Sequence, residues 1–127
     1  MNTTTILITD DEQDILDLLR GELTEAESNF EIFLADSGYK ALNFIRDEQI
    51  DILITDIAMP DMDGYELYTR VREIKPDLPI IMMTGFGYDP KHTVINAKKA
   101  GLRDVIFKPF DISKLLTLIY QRIIGVE

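Results

Sequence analysis

Ile50-Asp51-Ile52-Leu53-Ile54-Thr55-Asp56-Ile57-Ala58-Met59-Pro60-Asp61-Met62-Asp63-Gly64 is the stretch that decides the fold. From Ile50 to Thr55 it is apolar except for Asp51. That is the pattern of a strand covered on both faces, and such strands belong to parallel sheets sandwiched between helices. A carboxylate, Asp56, follows the run, Pro60 to Gly64 reads as a loop, and Leu67, Val71 and Ile74 then recur at helical spacing.

The same alternation extends in both directions. Ile6-Leu7-Ile8 predicts a buried strand, followed by a helix through Ile15, Leu16, Leu18, Leu19 and Leu23. Phe30 to Ala35 partly alternates, as expected of a less buried strand at the sheet edge, and Ser37-Gly38 opens a helix through Ala41, Leu42 and Ile45. Pro79 to Met83 predicts the fourth strand, and Val94, Ala97 and Ala100, stopped by Gly101, the fourth helix. Val105-Ile106-Phe107 predicts the fifth strand, and Asp111 caps a last helix carrying Ile112, Leu115, Leu116, Ile119 and Ile123. Five strands alternating with five helices imply an α/β, doubly wound parallel sheet with right-handed crossovers. All 127 residues form one expected domain, 1–127, without linker or repeat.

Composition narrows the function. There are no cysteines, which removes disulfides, thiol nucleophiles and Cys-ligated zinc and fits a reducing, cytoplasmic setting. No apolar run approaches the roughly 20 residues of a membrane span. The 23 acids against 13 bases give a net charge of −10, which argues against direct binding to nucleic acid or anionic membrane. Nine of the acids fall within residues 10–31, opposed only by Arg20. Residues 88–110 reverse the balance, with Lys91, Lys98, Lys99, Arg103 and Lys108 against Asp89 and Asp104. These segments read either as two oppositely charged solvated helices or as a partner surface.

Open parallel sheets bind ligands at the carboxyl ends of their strands. There the sequence places Asp10-Asp11 after the first strand, Asp56 after the third, Thr84 after the fourth and Lys108 after the fifth. Converging carboxylates repel each other unless a cation joins them. Mg²⁺, with Mn²⁺ as a second candidate, prefers oxygen ligands and typically takes one or two carboxylates plus a phosphate. A hydroxyl and an ammonium suit phosphoryl oxygens. Together these groups point to phosphoryl transfer onto an aspartate. Singly, each has a plainer reading: the acids of residues 10–12 as helix N-terminal charges, Asp56 as a turn former, Thr84 and Lys108 as solvated loop residues. Competing motifs fail. Asp61-Met62-Asp63-Gly64 lacks both end ligands of a calcium loop, Gly85-Phe86-Gly87 lacks the third glycine of a dinucleotide fingerprint, and His92 is the only histidine.

Ile6 to Glu12, Asp56 to Gly64, and Lys108-Pro109-Phe110 resemble the receiver domains of bacterial two-component response regulators, the fold of the chemotaxis regulator, over Ile6 to Ile124. The resemblance implies a flavodoxin-like sheet of order 2-1-3-4-5. It implies Asp56 as the phosphoacceptor, charged by a histidine kinase or histidine-phosphotransfer protein. Mg²⁺ would be held by Asp11, Asp56 and the backbone carbonyl of Ala58, with Asp10 acting through water. Lys108 and Thr84 would contact the phosphoryl group, and the bond to Pro109 would be cis. The expected product is a switch that catalyses only its own phosphorylation and dephosphorylation. It would signal to a downstream protein partner through the face around the fourth helix and fifth strand, as a monomer or weak homodimer. It would be either a single-domain regulator or a receiver from a hybrid sensor kinase. Two positions depart from the family pattern: Val105 stands where an aromatic is usual, and Thr84 and Lys108 are 24 positions apart, slightly more than usual. The alternative is a haloacid-dehalogenase-like phosphatase with Asp10 as nucleophile, which would put Glu12 where a second Asp is needed. A scaffolding domain with an inactive site is the third reading.

Overall fold

The computed structural model describes residues 3–85, 104–107 and 111–123. Strands β1 (Thr4–Thr9), β2 (Phe30–Ala35), β3 (Ile52–Asp56), β4 (Ile80–Thr84) and β5 (Asp104–Phe107) form one sheet of order β2-β1-β3-β4-β5, parallel throughout. Between and after them lie α1 (Gln13–Ala26), α2 (Gly38–Asp47), α3 (Gly64–Ile74) and a last helix, Ile112–Ile123. The expected fourth helix through Val94, Ala97 and Ala100, the segment Phe86 to Pro90, His92, Lys108-Pro109-Phe110 and Ile124 all lie outside the described residues.

Alternate residues of each strand feed two separate cores. Leu7, Leu53, Ile80 and Met82 face α2 and α3, where they meet Ala41, Leu42, Ile45, Leu67 and Val71. Ile6, Ile8, Ile52, Ile54, Ile81 and Met83 face α1 and the last helix, where they meet Leu16, Leu19, Leu23, Leu115 and Ile119. Every residue of β3 and β4 is buried, whereas β2 has only its end residues buried, as its edge position dictates. Val105, half-buried, packs against the α2–α3 core.

Strand limits differ from the sequence reading at the polar residues. The third strand begins at Ile52, because Asp51 is used at its entry: the Asp51 carboxylate accepts the Thr5 N–H at 2.7 Å and its own N–H donates to the Thr5 carbonyl at 2.9 Å. The fourth begins after Pro79, which has no N–H for the ladder, and ends on Thr84 itself. Asp56 likewise is the final residue of β3 and does not lie beyond it. Side-chain caps hold the starts of α2, α3 and the last helix. Ser37 Oγ accepts from Lys40 N, Asp63 Oδ1 from Glu66 N and Asp111 Oδ1 from Ser113 N. The Ser113 N–H, then its hydroxyl and the Lys114 charge, hold the Asp111 carboxyl below its ordinary 3.8. The depressed value means this cap is intact above the ordinary carboxyl pKa and is lost as pH falls through the lowered one.

Gly64 sets the position of the loop after β3. Its N–H donates to the Ile57 carbonyl at 2.8 Å, and a Cβ there would collide with the Asp56 carbonyl oxygen and stand 2.8 Å from Ile57 Cα. The obstacle is backbone, so it cannot turn aside. Gly64→Ala is expected to cost roughly 2 kcal/mol or more by overpacking. Gly21→Ala, in open space on α1, should stabilise by about 0.5–1 kcal/mol. Urea unfolding of both variants beside the parent checks the pair, and equal effects at the two sites would contradict this packing.

At the opposite pole Tyr120 Oη donates to Glu27 Oε2 at 2.5 Å, tying the last helix to the end of α1, and its ring lies 6.2 Å from that of Phe30. The hydrogen bond to the Glu27 carboxylate, with burial and the carboxylate charge, raises the phenol above its ordinary 10.0. A raised value means the contact stabilises fully below the ordinary phenol pKa and is lost as pH rises through the raised one. Tyr120→Phe should therefore lose about 1 kcal/mol at neutral pH and little in strong alkali, measured by chemical denaturation at both pH values.

Candidate functional site

The middle strands of the sheet deliver their polar side chains to one rim. Asp10 follows β1 directly, held there by its N–H to the Ala35 carbonyl at 3.1 Å. It is wholly buried, and its Oδ1 accepts the Glu12 N–H at 2.9 Å as α1 begins. The carboxylate thus serves the start of the helix as well as the rim. Asp11, the next residue, is exposed. Asp56, 4% exposed, has its Oδ1 oriented by the Ile57 N–H at 3.0 Å, an N–H that also reaches the Met83 carbonyl.

Carboxylate oxygens of Asp10, Asp11 and Asp56 all lie within 4.8 Å of one another. At that separation two full charges repel by upwards of about 3 kcal/mol at an effective dielectric of about 20. The Glu12 N–H on Asp10 and the Ile57 N–H on Asp56, each worth about 1 kcal/mol net, offset part of this. The donors are oxygens alone, hard and anionic, which fits Mg²⁺ or Mn²⁺ and not a metal preferring nitrogen or sulfur. Ala58, half-buried, stands two residues beyond Asp56.

Thr84 closes β4, one position past Met83, the register partner of Asp56. It is 1% exposed, and its hydroxyl has no hydrogen-bond partner among the described residues. A buried hydroxyl left so costs about 1–3 kcal/mol. Its position beside the carboxylates is suited to a ligand oxygen. Of the predicted positions, then, Asp10, Asp11 and Asp56 come together, Thr84 and Ala58 flank them on adjoining segments, and Lys108 lies outside the described residues.

Several supporting residues escaped the sequence reading. Thr55 Oγ1 donates to the Asp56 carbonyl at 3.0 Å. Opposite it in register, Thr9 is buried and its hydroxyl has no partner among the described residues. A threonine after each of the apolar runs Ile6–Ile8 and Ile52–Ile54 was the visible signal. Met62 drew notice only as part of a failed calcium loop. It is 1% exposed, and a Cβ on Gly38 would come within 2.6 Å of its sulfur, so the loop after β3 is wedged against the start of α2. Asp61, with φ of 68°, makes the left-handed turn that sends Met62 inward.

Known proteins resemble this chain in sequence and in fold. Regulatory protein AtoC of Escherichia coli K12 is 34% identical over 122 residues, covering 96% of this chain and 25% of AtoC. An uncharacterised 14.6 kDa protein of Leptolyngbya boryana is 35% identical over 118 residues, 91% of this chain and 87% of that protein. The crystal structure of a CheY-like response regulator receiver domain protein from Methanospirillum hungatei has a TM-score of 0.87 at 28% identity, with 98% of this chain and 96% of that one covered. The chain spans about a quarter of the length of curated relatives such as AtoC. No helix among the described residues is long and apolar enough to cross a membrane. The phosphatase reading finds no support among these relatives, and Glu12, where it needs a second acid, is an exposed residue at the start of α1. A family model of the response regulator receiver domain matches residues 6–120, and the chain belongs to that family of two-component signalling switches.

Proposed function

We propose that residues 1–127 form one phosphorylation-dependent switch in which Asp56 takes a phosphoryl group from a phosphohistidine of a histidine kinase or phosphotransfer protein. The carboxylate cluster carries this reading: Asp10, Asp11 and Asp56 oxygens within 4.8 Å, beside the Thr84 hydroxyl, which has no partner among the described residues. Asp11, Asp56 and the Ala58 carbonyl would hold Mg²⁺ directly, and Asp10 through water. When bound, the cation would neutralise the cluster and the phosphoryl oxygens gathered there.

An Asp56 carboxylate oxygen attacks phosphorus, a P–O bond forms as the P–N bond breaks, and the imidazole leaves with its electron pair and takes up a proton. The Ile57 N–H keeps the carboxylate aimed throughout. The phosphoryl group carries about −1.5 to −2 charge where the carboxylate carried −1, and it brings new acceptor oxygens. Thr84 Oγ1 supplies a donor already stripped of water, and Lys108 an ammonium. Drawing Thr84 inward shifts the end of β4, which relays the change to the downstream partner's face. Small Ala58 leaves room for the water that returns the switch to its resting state. The kinase, the downstream protein, and the place of this chain as a single-domain regulator or within a hybrid kinase complete the proposal.

Incubation with Mg²⁺ and a small acyl phosphate should add about 80 Da, the mass of one phosphoryl group, to the intact protein. The adduct should vanish in Asp56→Asn and without divalent metal, and Asp11→Asn should weaken Mg²⁺ binding at least about tenfold. An adduct that survives Asp56→Asn sinks the assignment, and absence of Mg²⁺ binding favours an inactive scaffold.

Thr84→Val separates stability from signalling. Removing the unpartnered hydroxyl at nearly equal volume should stabilise the unphosphorylated protein by about 1 kcal/mol. The phosphorylation-induced change in amide spectra along β4 should shrink at the same time. Loss of stability in this variant would mean that the hydroxyl has a partner in solution.

A further inference from the structure

Strand β2 leaves an edge that the switch reading does not use. Thr4 N–H donates to the Asn29 carbonyl and Asp10 N–H to the Ala35 carbonyl, so the odd-numbered residues of this strand aim their backbone groups at β1. By alternation, Ile32 and Leu34 aim their N–H and C=O groups away from the sheet. The outward N–H of Phe30 is taken by the Glu27 carbonyl. Phe30-Glu31-Ile32-Phe33-Leu34-Ala35 has none of the lysines, prolines or glycines that commonly block an edge.

Beside this edge runs a recess of about 300 Å³ lined by Leu34, Lys40, Asn43, Phe44, Asp47 and Glu48. Its charge is negative and poorly compensated. Lys40 is neutralised by Asp36 at 2.9 Å, while Asp47, Glu48 and Glu31 form no ion pair among the described residues. Asp47 and Glu48 also sit at the carboxyl end of α2, where the helix dipole adds negative charge and disfavours acids. The pleat sorts the two sides of the edge. Ile32 and Leu34 pack on the α1 core and Phe33 on the α2–α3 core, so alternation places exposed Glu31 on the α2 side with Phe33.

We infer that the β2 edge docks an extended segment of a partner protein as a sixth strand, with basic side chains alternating with apolar ones. Its backbone would pair with Ile32 and Leu34. Its basic side chains would point to the α2 side, toward Glu31, Asp47 and Glu48, and its apolar ones would extend the surface of Ile32 and Leu34. A second copy of this chain fits less well, because it would bring the same acids to the same edge.

The test titrates ¹⁵N-labelled protein with a short synthetic peptide alternating valine with lysine, and with its valine–glutamate counterpart. The lysine peptide should slow hydrogen exchange at the Ile32 and Leu34 amides and weaken with added salt, and the glutamate peptide should do neither. Asp47→Lys/Glu48→Lys should raise the Kd about tenfold. Leu34→Pro, which removes an outward N–H without touching the β1 ladder, should abolish binding, and if it fails to fold the double charge reversal carries the test. Acyl phosphate labelling of Asp56 should persist in the double variant, which keeps this inference separate from the switch itself. No protection at Ile32 and Leu34, equal binding of both peptides, perturbation confined to Asp10, Asp11 and Asp56, or a dimer that Leu34→Pro dissolves would each overturn it.

Discussion

Two buried carboxylates, Asp10 at 0% and Asp56 at 4% exposure, are held beside the exposed Asp11 within 4.8 Å. Left to themselves, such groups would be driven apart by their mutual repulsion. They stay because each is fixed by backbone on more than one side: Asp10 through Ala35 and Glu12, Asp56 through Ile57, Met83 and the ladder of a wholly buried strand. The two-sided core is what makes this constraint affordable, since strands packed on both faces cannot twist their ends apart without losing buried area on both. The rest of the molecule is arranged around that rigidity.

The loop after β3 has little freedom of its own. Gly64 lies against the Asp56 backbone, Asp63 caps α3, and Met62 is driven against Gly38 by the left-handed turn at Asp61. The start of α2, the start of α3 and the end of β3 are thereby packed as one unit. Further along, Arg72 stacks 4.9 Å above the Tyr68 ring and donates to the Leu78 carbonyl, tying α3 to the approach of β4. The end of β4 is different. Thr84, like Thr9 at the end of β1, keeps a buried hydroxyl with no partner among the described residues. In the switch reading, rigid attachment on the β3 side leaves the Thr84 hydroxyl at the end of β4 as a group that a phosphoryl oxygen could draw inward.

Much of this was legible in the residues. Apolar runs bounded by turn residues located all five strands, because a strand buried on both faces admits few polar side chains. The partial alternation of Phe30 to Ala35 marked β2 as the edge. Asp10, Asp11 and Asp56 could be grouped because strand ends converge in any parallel sheet. Strand limits at Asp51, Pro79 and Thr84 were less legible, since they depend on cross-strand partners: Asp51 reads as an intrusion until Thr5 is seen to bond with it. The Met62–Gly38 wedge was out of reach for the same reason. It is a contact between segments far apart in sequence, made by residues with no chemistry of their own to announce it.

Val105 bears on how the switch is transmitted. The family's usual aromatic at this position can swing between inward and outward rotamers, whereas a β-branched valine is stiff at χ1 and too short to sweep such an arc. Here it is half-buried against the α2–α3 core, paired in register with Met82, which is wholly buried. A change at Thr84 cannot then be read out by a ring leaving or entering a slot at Val105. In the switch reading it would pass instead through displacement of the β4 end. For a packed interior this is the stiffer route, because moving a strand end disturbs every side chain along it, whereas a ring flip disturbs one. The output surface of this protein should therefore respond as a shift of backbone and not as the appearance of a single aromatic pocket.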